Sequence, residues 1–65
     1  MSLSVGMEIE ITVMFIDTMG NAYGIYKGYL VFVEGAVVGK RYRVRIEDVN
    51  PYRKIAYARI IEELS

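Results

Sequence analysis

A small antiparallel β-barrel of five short strands in one domain, residues 1–65, is the fold this sequence predicts. Three observations carry that reading. Apolar residues recur with a period of two in successive stretches, the mark of half-buried strands. Glycine- and asparagine-bearing clusters separate those stretches at short intervals, as turns do. Five strands with edges to protect close most economically into a barrel, because closure removes the edges.

The first strand spans Glu8 to Ile16, where Ile9, Ile11, Val13 and Phe15 alternate with Glu8, Glu10, Thr12 and Met14. Asp17-Thr18-Met19-Gly20-Asn21 supplies turn chemistry. Asn21 to Val33 reads as a hairpin with its corner at Lys27-Gly28, since glycine accepts the positive φ of a tight turn. A two-residue turn there would set Tyr26 opposite Tyr29, Ile25 opposite Leu30, Gly24 opposite Val31 and Tyr23 opposite Phe32. One face then carries Tyr23, Ile25, Leu30 and Phe32. The other, the expected core face, carries Gly24, Tyr26, Tyr29, Val31 and Val33.

Glu34 to Lys40 is short and holds two glycines, which predicts a connection without a true helix. Arg41 to Val49 has the clearest alternation in the chain, with Tyr42, Val44 and Ile46 inward and Arg41, Arg43, Arg45 and Glu47 toward water. Asn50-Pro51 stops it, because proline cannot donate to a central ladder. In the last strand, Arg53 to Ile61, Ala56, Ala58 and Ile60 share one face, and Ile55, Tyr57 and Arg59 the other. The tail to Ser65 is too short for an independent helix.

Composition narrows the function. The residues are 54% apolar and 12% aromatic, which excludes disorder. With no cysteine and no histidine, a disulfide is impossible and a metal site would need carboxylates alone. General-base or nucleophilic chemistry would fall to carboxylates or lysine, and no such set is grouped, so we expect no enzyme, no cofactor and no metal. No apolar run suits a signal peptide or a membrane span, which predicts a cytoplasmic protein with no membrane partner. The formal charge is zero, yet uneven: the first 26 residues hold Glu8, Glu10 and Asp17 and no base, while Lys27 to Arg59 holds all eight bases. A neutral total can therefore hide a basic side.

Several blocks resemble the TRAM domain: Gly6-Met7-Glu8-Ile9-Glu10-Ile11-Thr12-Val13, Gly28-Tyr29-Leu30-Val31-Phe32-Val33-Glu34-Gly35-Ala36, Gly39-Lys40-Arg41-Tyr42-Arg43-Val44-Arg45-Ile46 and Ala56-Tyr57-Ala58. The resemblance runs from about Val5 to Ile61. It implies an OB-like barrel related to cold-shock and S1 domains, binding RNA. Such modules are often fused to tRNA methylthiotransferases or uridine methyltransferases, and the resemblance to stand-alone archaeal versions implies an RNA-chaperone or cold-shock-like role. The chain departs from the pattern at Thr18, Met19 and Ile25, where the family often has bases, and at Met14 and Phe15, where it often has acids.

The expected partner is single-stranded RNA, tRNA or rRNA. Bases stack on exposed rings for about 1–3 kcal/mol each, and the related cold-shock barrels place such rings on the middle hairpin. That nominates Tyr23 and Phe32, followed by Tyr57, and by Tyr29 if its place at the hairpin end lets it swing out. Lys27 at the hairpin tip and Arg53 and Lys54 in the loop before the last strand are the phosphate-binding candidates. Arg43 and Arg45 are discounted: in an OB topology the first strand pairs with the fourth, which sets them near Glu8 and Glu10 as cross-strand charge pairs. The alternative is a protein-interaction module, or an accessory subunit of an RNA-modifying enzyme, that has lost much of its RNA affinity. Its contact would be Met14, Phe15, Ile16 and Met19, since methionine and aromatic residues are favoured at interfaces.

Overall fold

The computed structural model describes residues 2–65. Its strands are β1 (Glu8–Thr12), β2 (Phe15–Ile16), β3 (Ala22–Tyr26), β4 (Tyr29–Glu34), β5 (Arg41–Asn50) and β6 (Ile55–Glu63). They form a single sheet in the order β1-β5-β6-β4-β3-β2. The all-β, OB-like architecture is as expected, with two refinements.

The described residues form six strands rather than five because the first changes partner midway. Val13 donates its N–H to Lys40 O at 3.0 Å and accepts from Gly39 N–H at 2.7 Å, whereas Met14 donates to Tyr23 O at 3.1 Å. The segment thus serves β5 up to Val13 and β3 from Met14 onward. Its halves β1 and β2 are the two edges of the sheet, so the hydrogen-bonded ladder is not closed there; the covalent chain ties the edges together. Nor is the sheet wholly antiparallel. β6 turns back beside β5 and lies between it and β4, which leaves β4 and β6 running parallel, from Leu30 opposite Ile55 to Glu34 opposite Arg59.

The hairpin has the register that a two-residue turn demands: Tyr23 opposite Phe32, Gly24 opposite Val31, Ile25 opposite Leu30, Tyr26 opposite Tyr29. Both corner residues have positive φ, 50° at Lys27 and 84° at Gly28. That is the type I′ turn, whose twist matches that of the flanking strands. The core takes Ile9 and Ile11 of β1, Ala22 of β3, Val31 and Val33 of β4, Tyr42, Val44 and Ile46 of β5, and Ala56 and Ala58 of β6, while both residues of β2 are exposed. Residues 35–40 are turns, held partly by Val37 N–H donating to Tyr42 Oη at 2.8 Å.

Tyr29 is only 1% exposed, and its ring belongs to this core. Alternation places it on the same face as Val31 and Val33, and that parity prevails over its position at the hairpin end. Its buried hydroxyl has no hydrogen-bond partner among the described residues. A desolvated, unpaired hydroxyl costs stability. Tyr29→Phe is therefore expected to stabilise the domain by about 1 kcal/mol, read as a rise of roughly 4–8 °C in Tm, with RNA affinity unchanged.

Candidate nucleic-acid interface

The ladders that build the sheet bring four rings into one row on its outer surface. Phe15 of β2 lies opposite Tyr23 of β3, Tyr23 opposite Phe32 of β4, and Phe32 opposite Tyr57 of β6. Successive centroids are 5.3, 5.3 and 5.5 Å apart. Of the expected stacking residues, Tyr23, Phe32 and Tyr57 come together here. Tyr29 does not: it is buried beneath the sheet and offers no face to a base.

One step along the strands from this row lies an aliphatic one, Ile25 opposite Leu30 and Leu30 opposite Ile55. Beyond it are the β3–β4 and β5–β6 turns, joined where Leu30 N–H donates to Lys54 O at 2.9 Å. Asn50 shapes the second turn by accepting from the N–H groups of Tyr52 and Arg53, each at 3.1 Å. The two turns carry Lys27, Arg53 and Lys54. The Lys54 ammonium lies 5.0 Å from the Tyr29 ring centroid, and that of Lys27 lies 5.9 Å from Tyr26.

The remaining bases are neutralised. Arg45 meets Glu8 at 2.7 Å, and Glu10 takes both Arg41 and Arg43 at 3.0 Å. Arg43 also meets Glu62 at 2.8 Å, Lys40 meets Glu63 at 2.8 Å, and Arg59 meets Glu47 at 3.1 Å. β1 and β5 pair with Glu8 opposite Arg45 and Glu10 opposite Arg43, which is the cross-strand compensation expected of the arginine row. All these groups are substantially exposed, so the pairs contribute little stability; their effect is to cancel charge. Among the described residues, Lys27, Arg53 and Lys54 are the cations without an acidic partner.

On the far side of the ring row lies a depression of 580 Å³, bounded by Phe32 and Tyr57, by the carboxylates of Asp17 and Glu34, and by the paired Glu47 and Arg59. The Asp17 carboxylate accepts the N–H groups of Asn21 and Met19 at 2.8 and 2.9 Å. Those bonds, that of Asn21 foremost, hold it below the usual carboxylate range, so it stays ionised. The rings are thus bordered by free positive charge on one side and negative charge on the other. A phosphate backbone is drawn to the first and repelled from the second.

The TRAM domain family matches residues 3–61. The chain belongs to the TRAM domain family. TRAM domains are, in general, RNA-binding modules and not catalytic ones. Among curated proteins, the comparison returns no match. No helix of this TRAM domain is long and apolar enough to cross a membrane, among the described residues.

Two members of the surface escape sequence reasoning. Phe15 falls in the alternation of Ile9, Ile11 and Val13, yet it stands outside beside Tyr23 because the partner change at Val13-Met14 resets the parity. Counting back from Tyr23 across the Asp17–Asn21 turn would have found it. Tyr52, 96% exposed, projects from the β5–β6 turn beside Arg53 and Lys54; its position directly after Asn50-Pro51 is the signal.

Proposed function

We propose that this TRAM domain is a free-standing, cytoplasmic RNA-binding protein of the archaeal type that holds single-stranded RNA, in tRNA or rRNA, and acts as an RNA chaperone without catalysis. The observation that carries the reading is the ring row of Phe15, Tyr23, Phe32 and Tyr57 with the three unpaired cations gathered on one side of it. The row that Tyr23, Phe32 and Tyr57 form with Phe15 is the surface unpaired bases meet, and Lys27, Arg53 and Lys54 engage phosphates. Weak capture of unpaired strands disfavours wrong pairings and then releases the RNA, with no energy source.

The test is an anisotropy titration of a labelled single strand and of the same sequence as a duplex, at low and moderate salt. The single strand should bind more tightly. Its affinity should fall with a log–log salt slope of up to about −2, the value for three phosphate contacts on a single strand. Equal binding of the duplex would overturn the reading.

A second reading has its own support: Met14 and Ile16 are exposed, and Met19 is 83% exposed, in one stretch. An apolar contact there suits a protein partner, such as an RNA-modifying enzyme. It would show little salt dependence, so the same titration format separates the two.

Charge cancellation makes a further prediction. Glu10→Gln frees Arg41, while Arg43 keeps its contact with Glu62 at 2.8 Å, and RNA affinity should rise modestly at low salt. The gain should shrink as salt is added, since ions screen exposed charges over a Debye length of about 10 Å at 0.1 M. No change at low salt would contradict the pairing.

A further inference from the structure

The four rings are not equivalent. Phe15 and Tyr23 are nearly parallel, at 25°, as are Phe32 and Tyr57, at 21°. Rings lying side by side in one plane cannot bring their centroids to 5.3 or 5.5 Å, because their edge hydrogens would collide. Parallel rings this close are offset-stacked, each covering part of its neighbour's face. The middle pair, Tyr23 and Phe32, is tilted by 52° at 5.3 Å. A base about 3.4 Å thick needs flanking rings roughly 7 Å apart to enter between them. Every gap in the row is narrower than that. The faces left for a base are therefore the two outermost, and the exposures agree: 44% for Phe15 and 51% for Tyr57, with Tyr23 and Phe32 both less exposed.

We propose that Phe15 and Tyr57, the two ends of the row, are the surfaces on which two separate bases of one RNA strand stack, and that Tyr23 and Phe32 are positioning residues that form a packed spacer between them. The inference rests on the RNA-binding reading above. The ends lie three inter-strand spacings apart, about 14 Å, against a rise of ~3.4 Å between stacked neighbours. The two docked bases are therefore not neighbours in a stack. The rings stand in for the bases between them, and the intervening nucleotides are displaced from that stack. The site selects a strand free to open in this way, and a duplex cannot. Phe15 is fixed for the role by its ladder to Tyr23 and by the Asp17-centred turn that follows β2.

The chain contains no tryptophan, so Phe15→Trp and Phe32→Trp each introduce a unique indole. Each variant is titrated with a uridine decamer, while anisotropy of the labelled decamer reports binding independently. Emission from Phe15→Trp should be quenched along the binding isotherm, and that from Phe32→Trp should change much less. Phe15→Ala, with a wild-type far-UV circular dichroism spectrum, should bind roughly tenfold more weakly with an unchanged salt slope, and Phe15→Tyr should restore affinity. A folded Phe15→Ala protein of wild-type affinity would overturn the proposal. So would silent Phe15→Trp emission in a sample that binds RNA, and this arm decides the matter if Phe15→Ala does not fold. Failure of the wild-type protein to bind any single strand would overturn the RNA-binding reading and this proposal with it.

Discussion

Gly24→Ala is expected to cost about 1–3 kcal/mol of stability, the range for overpacking a filled core. Gly24 sits on the inner face of β3 where β1 crosses it. A Cβ there would run into the Thr12 carbonyl oxygen and come within 2.9 Å of Ile11 Cγ1. The first of these is backbone and cannot rotate away. A core of this size supplies only about 3–5 kcal/mol in total, so the loss is a large share of it. Thermal unfolding should show Tm lower by on the order of 10 °C. Because Thr12 lies just before the partner change at Val13-Met14, relief of the clash would push β1 and β3 apart and disturb the ring row. RNA affinity should fall with stability. An unchanged Tm would contradict the close approach that ties the two edges of the sheet.

Phe32→Ala has the largest expected effect on binding, a loss of about 1–3 kcal/mol in RNA affinity, the worth of a stacked base, because without this spacer the end rings Phe15 and Tyr57 are no longer held in one row. Phe32 contacts Tyr23 on one side and Tyr57 on the other, so its removal cuts the row in two. It is only partly buried and stands outside the core, so the domain should stay folded, giving up roughly 1–3 kcal/mol for its two aromatic contacts. The salt slope should not change, since slope counts phosphate contacts. Arg53→Ala or Lys54→Ala should act the other way, each lowering the slope by about 0.7. A folded Phe32→Ala protein with undiminished affinity would remove the stacking platform from the account, and the protein-interaction reading would then lead.

The hairpin was legible in the sequence because everything that sets it is local. Lys27-Gly28 defines the turn, the turn defines the register, and a period of two assigns each face. The same parity assigns Tyr29 to the core, and only its closeness to the corner argued otherwise. The pairing of Glu8 and Glu10 with Arg43 and Arg45 was legible once an OB topology was expected, because that topology sets the first strand beside the fourth. What was not legible depends on events that periodicity does not record. Phe15 continues the inward alternation of β1, but the chain leaves β5 for β3 at Val13-Met14, and the count begins again. The neighbour of Tyr57 is set by a parallel ladder between strands distant in the chain. The Arg59–Glu47 contact lies beside an irregularity between Ile46 and Asp48 that shifts the register of β5 against β6. The Lys40–Glu63 pair requires β6 to run past Ile61, two residues beyond its expected end.

Backbone and side-chain chemical-shift mapping of the isotopically labelled protein during titration with single-stranded RNA tests the central claim most directly. The account predicts that the perturbed residues are Phe15, Tyr23, Phe32 and Tyr57 together with Lys27, Arg53 and Lys54, while the charge-paired surface of Glu8, Glu10, Arg43 and Arg45 stays still. Perturbation concentrated on that arginine surface, with the ring row silent, would contradict it.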